Sequence, residues 1–255
     1  MELIYGVNSI RDLLRQQKNG WEKILIASGR TGPSVQEIIA MAGENNIPVE
    51  FCHRKKLDNL AGTSDNQGIV AFRPPFVYKD LDVLIKNRNS SSGYDLILVL
   101  DSIVDPQNLG SIIRSAHCWG ANGVVIPEDR SANVTAAVNK ASAGSVQQIP
   151  VARVVNLAQS LEYLKEKGFW VFGAETHQGK SLGDMDFQCS VVLVMGSEAK
   201  GIRPLVRKKC DFLVTIPLPG HFDSLNVSVA AGIILYEIFR QRMKSDKING
   251  QKTGL

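Results

Sequence analysis

Apolar positions along this chain change their spacing near residue 94. Before that point they are short and mixed in period. Val7, Ile10, Leu13 and Leu14 recur at helical spacing and predict an amphipathic helix over 7–17. Val35, Ile38, Ile39 and Ala42 share one face and predict a second helix over 34–46. Apolar runs at 23–27, 49–52 and 68–72 predict strands. After Tyr94 the runs become nearly continuous, at 96–100, 123–126, 170–173, 191–195 and 212–216. Such runs, bounded by turns, suit a parallel sheet buried on both faces. Helical patterns fall between them, at 108–119, 133–143, 157–167 and 226–242. The implied layout is a small α/β unit (1–73), a linker (74–93) and a larger α/β domain (94–243). A polar, frayed tail (244–255) follows. The linker opens on Pro74-Pro75, holds a short helix and ends in a Ser- and Asn-rich stretch.

Bulk properties narrow the function classes. A chain of 255 residues holds one large α/β domain or a catalytic domain with a smaller partner. A net charge of +4 is compatible with a nucleic-acid partner and does not demand one. Cys52, Cys118, Cys189 and Cys210 lie far apart with no Cys-x-x-Cys pair, which predicts free thiols rather than a disulfide framework or zinc site. The start, Met-Glu-Leu-Ile-Tyr-Gly, lacks the pattern of a signal peptide, and no apolar run nears the ~20 residues that span a bilayer. The expectation is a soluble intracellular protein with no membrane partner.

Three segments bring polar groups to strand ends: Asp105 to Arg114, Val194 to Gly201 and Ile216 to Ser228. Strand ends of open α/β sheets are where ligands bind. Asn108 alone reads as a helix N-cap, and Arg114 alone as a solvated surface charge. Gly196 permits a tight turn, and Glu198 reads equally as a loop carboxylate or a ligand acceptor. Pro217, Pro219 and Gly220 force an irregular turn, after which Ser224 or Asn226 opens the last helix. Gly173 to Ser181 approaches a phosphate-binding P-loop, but has one residue too many and no following helix. No Gly-x-Gly-x-x-Gly follows a strand, and the four histidines show no metal spacing.

Taken together, in order and at strand ends, the three segments resemble the motifs of the SpoU family of RNA ribose 2′-O-methyltransferases. Ile4-Tyr5-Gly6, Asn66-Gln67-Gly68-Ile69 and Asp129-Arg130-Ser131-Ala132 resemble a branch that modifies a guanosine in bacterial large-subunit (23S) ribosomal RNA. The resemblance implies a trefoil-knotted parallel-sheet methyltransferase domain, preceded by an L30e-like RNA-binding domain. It implies S-adenosyl-L-methionine as cofactor, held by Ala174, Met195, Gly196, Ile216, Leu218 and Leu225. The catalytic set it implies is Asn108, Arg114, Glu198, Ser224 and Asn226. It further implies a homodimer through the knotted domain, in keeping with small residues on the last helix.

Family practice assigns Arg114 to deprotonation of the 2′-OH. A guanidinium rarely gives up its proton, so a phosphate clamp that also stabilises the alkoxide is easier physically, with Glu198 orienting Arg114 or taking the proton through water. Arg30, Arg54, Lys55, Lys56 and Arg73 are candidate RNA phosphate contacts. The alternatives are a tRNA ribose, another rRNA nucleotide, or a non-catalytic ribosome-assembly factor. A dinucleotide oxidoreductase is more distant, lacking the glycine fingerprint.

Overall fold

The computed structural model describes residues 1–16, 20–86, 93–220 and 224–250. Part of the expected linker (87–92), the centre of the third motif (221–223) and the end of the tail (251–255) lie outside the described residues. The chain divides into two compact units, Met1–Val77 and Tyr78–Leu255.

The first unit contains β1 (Glu2–Tyr5), α1 (Val7–Gln16), β2 (Lys23–Ala27), α2 (Pro33–Glu44), β3 (Val49–Cys52), α3 (Arg54–Ala61) and β4 (Ile69–Arg73). Its sheet runs in the order β1-β4-β2-β3, with β2 and β3 parallel and the other pairs antiparallel. Leu25, Ala27 and Val70 pack with Leu57 of α3 on one face. The spacing does not predict α3, because a single side chain of that helix, Leu57, is buried and its first turn is Arg54-Lys55-Lys56. The Asn66-Gln67-Gly68 segment is a built turn. Fully buried Asn66 accepts from the Gly68 amide at 2.8 Å and donates to Asp58 Oδ1 at 2.6 Å and Thr63 O at 2.8 Å. Gln67 and Gly68 both adopt positive φ (56° and 75°), and Gln67 Oε1 accepts from the Val7 amide at 2.9 Å.

The second unit contains α4 (Leu81–Lys86), β5 (Leu96–Asp101), α5 (Pro106–Cys118), β6 (Gly123–Pro127), α6 (Ala136–Ala141) and β7 (Val151–Val154). It continues with α7 (Leu157–Glu166), β8 (Trp170–Ala174), β9 (Lys180–Ser181), β10 (Val191–Gly196), α8 (Pro204–Arg207), β11 (Phe212–Thr215) and α9 (Val227–Gly250). The sheet order is β7-β6-β5-β10-β8-β11-β9, parallel throughout. Ile97, Val99, Val125, Val171, Val192 and Val194 join Leu157, Leu161 and Leu164 of α7 in one core. The short helix expected inside the linker is α4, and it lies in this unit with Leu84 fully buried. The tail expected to fray from residue 244 continues α9 to Gly250.

Gly110 sets the approach of α5 to α6. A Cβ there would lie 2.4 Å from Ala141 Cβ and 2.9 Å from the Val138 carbonyl oxygen. The four cysteines are free. No helix among the described residues is long and apolar enough to cross a membrane.

Candidate functional site

β10 lies between β5 and β8, so the chain's late strand reaches the centre of the sheet. Gly196, at the end of β10, stands in register with Asp101 at the end of β5. The loops that leave these strands carry the first two motifs, and α9 begins the close of the third. This is the strand-end position where open α/β sheets bind ligands.

The loop after β10 is closed on itself. Ser197 and Gly201 exchange backbone hydrogen bonds of 3.1 and 2.8 Å, and Gly201 turns at φ 63°. Gly196 is required there, since a Cβ would meet the Gly201 carbonyl carbon at 2.1 Å and the Ile202 nitrogen at 2.2 Å. Fully buried Asp101 fixes the far end of the loop: its Oδ2 accepts from the Arg203 amide at 2.8 Å and its Oδ1 from Arg203 Nε at 2.6 Å. One carboxylate thus ties the loop after β5 to the loop after β10.

The loop presents Glu198 to both asparagines of the predicted set. Glu198 Oε1 accepts from Asn226 Nδ2 at 2.6 Å, Asn108 Nδ2 at 3.1 Å and the Val227 amide at 3.3 Å. Asn226 Nδ2 also donates to Asn108 Oδ1 at 3.0 Å. The carboxylate sits at the N-terminus of α9, where the helix dipole favours negative charge. Asn226 caps that helix, its Oδ1 accepting from the Ser228 amide at 2.9 Å. Of the two openers the sequence allows, Asn226 is therefore the cap.

Asn108 is not a cap. Asp105 takes that position on α5, accepting from the Gln107 amide at 2.9 Å, with Pro106 in the first turn. This frees the Asn108 side chain for Glu198. Arg114, on the same helix, is exposed and makes no hydrogen bond or ion pair among the described residues. Glu198 and Arg114 share no hydrogen bond or ion pair among the described residues, and Glu198 Oε1 is taken by the two asparagines and the α9 amide.

A cavity of about 300 Å³ adjoins the cluster. Its walls include all six residues expected to hold the cofactor: Ala174, Met195, Gly196, Ile216, Leu218 and Leu225. Glu198 and Ser224 line it too, while Arg114, Asn108 and Asn226 do not. Glu175 and Thr176, also on the wall, lie outside the three motif segments, and Lys200 lies inside the second without an assigned role. Glu175 is held by Arg207 Nε at 2.9 Å. It sits in the segment that approaches a P-loop, and only the packing of β8 beside β11 turns it toward the cavity.

The predicted RNA contacts separate into two groups. Arg30, Arg54, Lys55 and Lys56 are exposed. Arg30 Nε donates to the Gln67 carbonyl at 3.2 Å and Arg54 Nη2 to the Ser64 carbonyl at 3.2 Å, so both border the buried-asparagine turn. Arg73 differs. It is 6% exposed and paired with Glu2 at 3.1 Å, which turns its charge inward.

Residues 95–236 match the model of the SpoU rRNA methylase family, and residues 3–78 that of an RNA 2′-O ribose methyltransferase substrate-binding domain. A Bacillus subtilis protein, YacO, assigned to the TrmH family of tRNA/rRNA methyltransferases, is 40% identical over 241 residues, 94% of this chain and 96% of that one. The SpoU methyltransferase AviRb of Streptomyces viridochromogenes, solved in complex with AdoMet, superposes with a TM-score of 0.67 at 26% identity, over 95% of this chain and 90% of its own. An AdoMet-bound rRNA methyltransferase from Sinorhizobium meliloti gives a TM-score of 0.67 at 25% identity, over 94% and 87%. With its motif loops joined at one strand-end site and the family match spanning most of the second unit, the chain belongs to the SpoU rRNA methylase family.

Proposed function

We propose that this protein transfers a methyl group from S-adenosylmethionine to a ribose 2′-OH of RNA, with a guanosine of 23S rRNA as its target. The observation that carries the reading is the junction of Asn108, Glu198 and Asn226 beside a ligand-sized cavity. Support for the 2′-O position comes from the substrate-binding family match over residues 3–78. Support for the guanosine comes from the likeness of Asn66 to Ile69 and Asp129 to Ala132 to the branch that modifies it. A ribosomal RNA substrate supports a cytoplasmic site of action.

The cavity suits the cofactor chemically. Its apolar wall of Met195, Ile216, Leu218 and Leu225 suits an adenine ring, and Glu175 and Glu198 suit a sulfonium cation. When bound, S-adenosylmethionine supplies an electrophilic methyl group. The protein's own part is positioning and charge. Arg114, without a hydrogen bond or ion pair among the described residues, clamps an RNA phosphate and stabilises the 2′-oxyanion as it forms. Of the five catalytic candidates Glu198 alone has a carboxylate to act as general base, and it takes the hydroxyl proton through a water. Asn108, Ser224 and Asn226 hold the ribose and the loop ends. Arg30, Arg54, Lys55 and Lys56 contact RNA phosphates from the first unit.

Family membership also supports a trefoil knot around the cavity, an L30e-like fold for residues 1–73, and a homodimer through α9. A crystal structure of the protein with S-adenosylhomocysteine checks the chain path and the pairing together.

The test of the activity uses labelled S-adenosylmethionine with unmodified large-subunit rRNA and, separately, tRNA, followed by mapping of the modified ribose. Arg114→Ala is expected to lower the rate about 100-fold or more, the scale for losing one group that stabilises a developing oxyanion. Its affinity for S-adenosylhomocysteine, read by calorimetry, stays within about twofold, well below the tenfold that 1.4 kcal/mol represents. Lost cofactor affinity in that variant contradicts the role given to Arg114. Label on tRNA keeps the chemistry and replaces the substrate.

A further inference from the structure

Among the described residues lining the cavity, Lys200 is the one side-chain cation. The two wall carboxylates are already engaged, Glu175 by Arg207 and Glu198 by Asn108, Asn226 and the Val227 amide. Lys200 is exposed, and its ammonium has no hydrogen bond or ion pair among the described residues. The backbone beneath it is nonetheless held. The Lys200 amide donates to Ser197 Oγ at 3.3 Å inside the loop closed by Ser197 and Gly201. Gly196 leaves no room for that loop to shift inward, and the Arg203 pair with buried Asp101 fixes its exit. A long cation on a fixed stem at a cavity wall, with no anion to satisfy it among the described residues, is a site for a ligand anion. Lysine meets such groups as a point charge and tolerates varied geometry.

We propose that Lys200 forms an oxyanion subsite at the cavity, taking either the carboxylate at the amino-acid end of the bound cofactor or a phosphate of the bound RNA. The inference rests on the methyltransferase reading above. It adds a binding residue that the three-motif pattern leaves unassigned.

The test compares full-length protein with Lys200→Ala and Lys200→Arg, using S-adenosylhomocysteine, 5′-methylthioadenosine and an rRNA fragment in separate titrations. Methylthioadenosine keeps the nucleoside and lacks the amino acid. If the cofactor carboxylate is the ligand, Lys200→Ala weakens S-adenosylhomocysteine about tenfold, the scale of one charge-assisted hydrogen bond, and leaves methylthioadenosine unchanged. If an RNA phosphate is the ligand, both nucleosides bind as before. RNA affinity then falls, and its dependence on log salt becomes shallower by about 0.7, as for one single-strand phosphate contact. Lys200→Arg, which keeps the charge, retains most of the affinity in either case. Unchanged binding of all three probes overturns the proposal, and so does equal weakening of both nucleosides, which reports a collapsed loop. Wild-type protein that binds neither nucleoside instead overturns the methyltransferase reading itself.

Discussion

Glu198 gives one carboxylate oxygen to three donors, and all three come from the other two motif segments. Glu198→Gln preserves size and one acceptor oxygen but removes the charge. The cluster then keeps its geometry with weaker hydrogen bonds, and stability falls by about 1 kcal/mol, less than the usual worth of a bond to an ion because the side chain is exposed. Single-turnover methylation should fall about 100-fold, the low end for loss of a general base. Full activity in Glu198→Gln, with a normal melting curve, would reduce Glu198 to a scaffold for Asn108 and Asn226. What the sequence shows at this scale depends on distance along the chain. The true cap of α5 was readable, since Asp105 followed by Pro106 is a local helix-start signal. The inward turn of Arg73 was not. Its partner Glu2 is brought opposite only by the β1–β4 register, which no local pattern around residue 73 encodes.

At the scale of elements, long apolar strands are legible and short half-polar ones are not. β5 is buried at every position and reads as a strand from composition alone. β1 and β7 have four residues each, with only partial burial, too few for a period to declare itself. The last helix shows the opposite problem, for its pattern serves two faces at once. Ala231, Ile234, Leu235 and Ile238 are buried in the unit. Val229, Ile233, Tyr236 and Met243 form a second apolar row along α9, and Val229 and Tyr236 are about half exposed (50% and 49%). Trp119 of α5 borders that row, its ring 5.2 Å from those of both Tyr236 and Phe239. A row of this length, at helical spacing and aromatic at its centre, supports the proposed homodimer face. Ile233→Asp should convert the dimer to a monomer in sedimentation velocity while leaving the helical circular dichroism intact. A wild-type protein that stays monomeric across the micromolar range would remove this face from the proposal.

Across the whole molecule, the two units carry different parts of the predicted chemistry. The cavity and the Glu198 cluster belong to Tyr78–Leu255, whereas Arg30, Arg54, Lys55 and Lys56 belong to Met1–Val77. The change in apolar spacing near residue 94 falls inside the second unit, which begins at Tyr78. It does not announce the insertion of β10 between β5 and β8, a long-range pairing on which the whole site depends. If the first unit supplies phosphate contacts and the second supplies chemistry, the two functions should separate by mutation. Replacing Arg54, Lys55 and Lys56 together with alanine removes three exposed cations from a helix anchored by one buried residue, Leu57, so the fold should persist. Affinity for the rRNA fragment should then fall, and the slope of log affinity against log salt should become shallower by about 2, at roughly 0.7 per single-strand contact. Affinity for S-adenosylhomocysteine should not change, because none of the three lines the cavity. The maximal rate at saturating RNA should also hold, since positioning of the ribose is assigned to the second unit. An unchanged salt slope would show that the basic cluster is merely a solvated face, and RNA would then have to be gripped mainly around Arg114 and the cavity mouth.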